Sequence, residues 1–137
     1  MKSGVRERCE EALRALQEAV PCELATLWAS AGGQLVPAAT VGRPLDLLES
    51  VPFDTGVGLR AWVFRSGRVV RIPSRGRGFR DGALQGFLAV PVEHRGRRVG
   101  VLVLGRTEGA FGEEEEGRVR ALAADLAKAL VGGDGGE

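Results

Sequence analysis

The first apolar positions of the chain, Val5, Cys9, Ala12, Leu13, Leu16, Ala19 and Val20, recur every three or four residues and predict a helix with one buried stripe. Ser3 suits its N-cap and Pro21 its stop. Arg6, Glu7, Glu10, Glu11, Arg14 and Glu18 fall outside the stripe as a solvated face, with Arg6 and Glu10, and Arg14 and Glu18, at i,i+4 pairing distance. The period then shortens. Cys22 to Ala29 reads as a buried strand, Gly32-Gly33 as a tight turn, and Gln34 to Val41 as the second strand of a hairpin. Gly42-Arg43-Pro44 breaks that strand, Leu45 to Ser50 suits a helical turn, and Pro52 resets the chain.

Leu59, Trp62 and Val63 share one face of a short helix that Gly67 stops, and Arg68 to Ile72 is a short strand ended by Pro73. Residues 74–82 are too rich in glycine and arginine to pack as a regular element and predict a mobile loop. Gly86 to Val92 and Arg98 to Leu104 are nearly continuous apolar strands joined by a tight hairpin over 93–97, and such continuity requires cover on both faces of a sheet. Gly112 caps a last helix that opens on Glu113 to Glu116, where carboxylates meet the positive end of the helix dipole. Its stripe is Val119, Leu122, Ala123, Leu126 and Leu130. Residues 1–131 therefore predict a single domain and 132–137 a disordered Gly-rich tail. The element order predicts an α+β sandwich, with the N- and C-terminal helices on one sheet face and the central excursion on the other.

Composition narrows the function. A chain of 137 residues with 44% apolar and 27% charged positions suits one globular domain. It has no run of ~20 apolar residues and no signal-like start, which predicts a cytoplasmic protein without a membrane segment. Cys9 and Cys22 are too few for a disulfide scaffold and are expected as buried thiols. The net charge of +1 conceals a segregation, because residues 60–106 carry eleven basic and two acidic groups while both flanks are acidic. Two readings stay open: an anionic partner near the basic segment, or Arg65, Arg68, Arg95, Arg97 and Arg98 as turn and strand-edge residues answering the acidic terminal helices.

Four stretches in this order resemble the GAF domain family of small-molecule sensors. They are Gly56 through Ile72 (GVGLRAWVFRSGRVVRI), Phe87 to Val92, Arg95 to Arg106 (RGRRVGVLVLGR), and Phe111 with Glu114-Glu115 and the Leu122 to Ala127 helix. The resemblance spans roughly residues 5–131. It implies a central antiparallel sheet of five or six strands with the terminal helices on one face, a ligand cavity on the other under a lid region, and dimers formed through the terminal helices. Lined from sheet and excursion, that cavity has Trp28, Thr40, Trp62, Phe79 and Phe87 as candidate ligand-binding residues, with Thr40 and Arg71 as polar contacts.

The residues that could carry chemistry are few. His94 is the only histidine and falls in a hairpin turn, where neither a metal site nor a catalytic triad has partners. Some GAF proteins reduce free methionine sulfoxide with cavity cysteines and others attach a bilin to one, but residues 42–86 contain no cysteine. The Asn-Lys-Phe signature of cyclic-nucleotide-binding members is missing, since Lys2 and Lys128 are the only lysines. Gly56-Val-Gly58 could hold an anion but lacks the Gly-Lys-Ser/Thr of a phosphate loop. Arg75, Arg77 and Arg80 around Phe79 suit a solvated or ligand-bordering loop better than a nucleic-acid surface. The expectation is a non-enzymatic sensor for a small molecule, anionic ligands being compatible with the basic segment, with no metal and no named cofactor. It would form a homodimer through Ala12, Ala15, Ala19, Ala121, Ala124 and Ala127 and signal to a separate effector protein. A ligand-free interaction module and a methionine-sulfoxide-reductase-like enzyme are the alternatives.

Overall fold

The computed structural model describes residues 2–42, 56–72 and 85–135. Helix α1 (Lys2–Ala19) leads into the hairpin of β1 (Leu24–Ala31) and β2 (Gln34–Gly42). Then come α2 (Gly56–Ser66), β3 (Val70–Ile72), the hairpin of β4 (Gly86–His94) and β5 (Arg97–Arg106), and α3 (Glu113–Gly135). The helical turn expected at Leu45 to Ser50 and the loop expected at 74–82 lie outside the described residues.

The strands form one antiparallel five-stranded sheet in the order β2-β1-β5-β4-β3, so the two hairpins join along β1 and β5. The central strands β4 and β5 are covered on both faces, which explains their unbroken apolar runs. The edge strand β2 instead alternates: Ala39 and Val41 are buried and Thr40 between them is exposed.

Alternation along the strands divides the core in two. Ala25 and Leu27 of β1, Leu88 and Val90 of β4, and Leu102 and Leu104 of β5 pack with Cys9, Leu13 and Leu16 of α1 and Val119, Ala123 and Leu126 of α3. On the other face Leu24, Phe87, Ala89, Val101 and Val103 meet Val63 of α2, with Val70 and Ile72 of β3. The terminal helices thus cover one face and α2 the other, as the order of elements predicts. Each fully buried leucine of the first layer, Leu13 and Leu16 among them, contributes roughly 1.5–3 kcal/mol.

Local chemistry fixes the connections. Gly32 and Gly33, at φ 58° and 81°, make the two-residue turn whose left-handed backbone matches strand twist. Arg95 (φ 54°) and Gly96 (φ 81°) repeat it in the β4–β5 hairpin, with a non-glycine residue at the first position. Helix α2 stops at Gly67, whose N–H donates to the Val63 carbonyl (2.9 Å). Gln17 Nε2 donates to the Cys22 carbonyl (3.0 Å) and holds the turn from α1 into β1.

Two details differ from expectation. Arg14 reaches back to Glu10 (3.9 Å) rather than forward to Glu18, because Glu10 stands one turn from both Arg6 and Arg14 and takes both cations. Helix α3 continues through Gly135, into the segment read as a tail, as backbone hydrogen bonding propagates from the packed turns before it.

Candidate functional site

Where the end of the β1–β2 hairpin meets α2, a cleft of about 460 Å3 opens. Ser30, Gly33, Gln34 and Leu35 form one wall, and Arg60, Ala61, Phe64 and Arg65 the other. The volume falls within the roughly 300–1,000 Å3 of small-molecule sites. Arg60 and Phe64, like Ala61 and Arg65, are one helical turn apart, so successive turns of α2 present both cations and apolar groups to the same opening.

Arg60 is placed by Trp28. The guanidinium carbon sits 3.8 Å from the centre of the indole ring, a cation–π contact that holds the side chain against the sheet. Trp28 sits in the middle of β1, opposite Val101 of β5 and Pro37 of β2, beside an irregularity in the β1–β2 register. Gly100 permits this packing, because a Cβ there would collide with the Trp28 carbonyl. Burial pushes the Arg60 guanidinium below its ordinary pKa, the sign of a cation partly withdrawn from water. Ion pairs among the described residues engage Arg6, Arg14, Arg71, Arg98 and Arg106, and Arg60 is in none of them.

A second cluster joins the sheet to both terminal helices. Arg106, at the end of β5 and 9% exposed, donates through Nε (2.9 Å) and Nη2 (2.6 Å) to the Pro21 carbonyl just beyond α1. Nη1 donates to the Ala110 carbonyl (3.1 Å), and Glu115 in the first turn of α3 accepts from Nη1 (3.0 Å) and Nη2 (2.7 Å). Phe111 lies beneath the guanidinium at 4.1 Å. Glu115 also accepts the Gly112 N–H (3.0 Å), the carboxylate half of a capping box. The hydrogen bonds from Arg106 hold its carboxyl below the usual carboxylate range. On the same side of the sheet Arg71 pairs with Glu116 (3.1 Å). Arg98 ties the β4–β5 hairpin to α2 by donating to the Arg65 carbonyl (3.0 Å) and to Glu93 (3.4 Å).

The residues expected at a cavity are dispersed. Trp28 supports the cleft from beneath Arg60. Phe87, 1% exposed, is packed into the core on the α2 side. Thr40 is exposed on β2 opposite Thr26 and does not line the cleft. Trp62 is 39% exposed on α2, away from the cleft. Arg71 belongs to the opposite side, held by Glu116, because one step along β3 from Val70 or Ile72 reverses the face. Phe79 lies outside the described residues. Sequence reasoning missed Arg60, Phe64 and Leu35 as lining residues, and Arg106 as the junction. The available signal for Arg60 was a cation set within the apolar run of α2; for Arg106, a cation ending the most apolar strand.

Both thiols lie in the layer under the terminal helices, across the sheet from the cleft. Burial raises the Cys9 thiol and pushes Cys22 up to about 11. His94 closes β4 beside the Arg95-Gly96 turn. Among the described residues, no group of three or more His, Cys, Asp or Glu could hold a metal ion, and no helix is long and apolar enough to cross a membrane.

A sheet sealed by terminal helices on one face and carrying a cleft under a short helix on the other defines a small α+β sandwich domain. The GAF domain family model matches residues 2–131, and the chain belongs to that family, whose members are sensory and signalling domains. Among solved structures, it resembles a type II free methionine-R-sulfoxide reductase from Thermoplasma acidophilum (20% identity, 94% of each chain, TM-score 0.73). It also resembles a GAF domain/HD domain protein from Geobacter sulfurreducens (19% identity, 94% of this chain and 93% of that one, TM-score 0.70). A third is the GAF domain of a phosphoenolpyruvate-protein phosphotransferase from Coxiella burnetii (23% identity, 93% and 82%, TM-score 0.68). At these identities the likeness is one of fold. No curated protein matches the chain.

Proposed function

We propose that the chain is a non-enzymatic sensory domain that binds a small anionic molecule between α2 and the β1–β2 hairpin and passes its occupancy to the terminal helices. The observation that carries this reading is Arg60, a partly buried cation stacked on Trp28 at the cleft and outside every ion pair among the described residues. A desolvated cation with no carboxylate partner among the described residues gains most from an anion brought by a ligand. Connectivity supports the relay. Trp28 and Leu27 are neighbours on β1 facing opposite layers, and β1 pairs with β5, which ends in Arg106 bound to the Pro21 carbonyl just beyond α1 and to Glu115 of α3. Ala15, Ala19, Ala121 and Ala124 are exposed on those helices and suit a homodimer interface that a separate effector could read.

The chemistry argues against a reductase like the Thermoplasma neighbour. Thiolate is the reactive form, and both thiols here are held protonated by burial on the far side of the sheet. Exposed Trp62 favours a second reading, an interaction module that presents α2 to another protein.

Native mass spectrometry of gently purified protein, with thermal shifts across a metabolite panel, decides between them. A small anion retained by the folded protein and a rise in Tm on adding it support sensing. A clean apo mass with no thermal response across the panel favours the interaction module. Light scattering that finds only monomer at high micromolar concentration removes the dimer.

A further inference from the structure

We infer that the cleft selects a planar carboxylate on an apolar body, taken edge-on by Arg60; this rests on the sensory reading above and names its ligand class. At 3.8 Å from the ring centre, the Arg60 guanidinium carbon is at stacking distance from Trp28. A guanidinium pointing end-on at the ring would hold that carbon farther away by the length of its terminal N–H group. Stacking uses the face of the guanidinium and leaves its N–H groups directed outward in the guanidinium plane. A carboxylate meets two of them at once with parallel hydrogen bonds and lies wholly in that plane. A tetrahedral anion can also bond two of them, but it projects its remaining charged oxygens out of the plane, where the lining includes Phe64, Leu35 and Ala61.

The rest of the cleft describes the ligand's body. Phe64, one turn along α2 from Arg60, and Leu35 across from it on β2 are partly buried apolar side chains, and Ala61 leaves room between them. A flat hydrocarbon group attached to the carboxylate continues the guanidinium plane into that space. Ser30 and Gln34 stand on the hairpin wall with groups able to bond a further polar substituent. Arg65 adds a second positive charge at the exposed side, which steers anions toward the opening.

The test uses benzoate as probe, with benzamide, acetate and inorganic phosphate as controls. Binding is read from Trp28 fluorescence in a Trp62→Phe background, which leaves Trp28 as the single tryptophan. Benzoate should change the emission saturably, with acetate and phosphate at least tenfold weaker and benzamide without effect. Arg60→Gln should lower benzoate affinity tenfold or more. Arg60→Lys, which keeps the charge but not the planar fork, should lose nearly as much; it also supplies the comparison if the glutamine variant is poorly folded by circular dichroism. Equal binding of benzamide, stronger binding of phosphate, no response to benzoate, or unchanged affinity in both Arg60 variants overturns the assignment. If the purified protein meanwhile retains, by native mass spectrometry, a small anion that is not a planar carboxylate, this ligand class fails while the sensory reading stands. If benzoate binds as described but leaves amide exchange in α1 and α3 unchanged, the ligand class stands and the relay fails.

Discussion

Arg106 and Glu115 form a two-pronged ion pair, with Nη1–Oε1 at 3.0 Å and Nη2–Oε2 at 2.7 Å, that joins the end of β5 to the first turn of α3. With the Pro21 and Ala110 carbonyls, the five hydrogen bonds from Arg106 match the five N–H groups of a guanidinium. One side chain thus fastens the C-terminal side of α1, the sheet and the N-terminus of α3 together.

Arg106→Gln should therefore destabilise the domain by about 3 kcal/mol, the lower end of the cost of breaking a buried pair, because Glu115 retains some access to water. Arg106→Lys should recover only part of this, since an ammonium cannot meet the carboxylate and two carbonyls in one plane. Urea unfolding checks both, and a loss under about 1 kcal/mol for the glutamine variant would mean that the cluster does not hold the helices.

The same pair makes stability sensitive to acid. The Glu115 carboxyl is held below its ordinary pKa by its hydrogen bonds from Arg106, so the folded state binds its proton less readily than the unfolded chain. Its contribution is complete above the unfolded value and is lost as pH falls through the folded one. Between pH 7 and pH 3, wild-type stability should fall more steeply than that of Glu115→Gln, and the two curves should converge toward the acid end. Parallel curves would show that Glu115 titrates alike in both states.

Thiol reactivity should be low in the native protein. With Cys22 pushed up to about 11 and Cys9 fully buried, alkylation by iodoacetamide at pH 7.5 should run at least tenfold slower than in the urea-unfolded chain. Because burial raises both thiols, the folded state keeps these protons longer than the unfolded chain. Stability from this source is complete below the unfolded thiol value and declines as pH rises above it. Rapid modification of native Cys22 at neutral pH would contradict this burial and restore the case for thiol chemistry.

The β4–β5 turn offers a gain. Arg95 occupies the left-handed backbone region (φ 54°) at the first position of a two-residue turn, where asparagine is preferred. Arg95→Asn should stabilise the domain by about 0.5–1 kcal/mol, seen as a higher urea midpoint with an unchanged slope.

Most of the architecture was legible in the chain because periodicity is a local property that reports burial. The stripe through Cys9, Leu13 and Leu16 announced α1, and Gly32-Gly33 announced the first hairpin. The unbroken apolar run in β5 announced a strand covered on both faces. The order of these elements sufficed to place both terminal helices on one side. Side-chain partnerships were less accessible, because they depend on which strands become neighbours. Arg71 read as a ligand contact until one step of strand alternation put it beside Glu116. Arg60 read as one more cation of a basic segment until folding laid it on Trp28, 32 residues earlier in the chain. The segregation of charge was visible in the sequence, but its meaning was set by the sheet. Pairing β1 with β5 brings Pro21 and Arg106 together, so part of the basic segment answers the acid of α3 and part faces an open cleft.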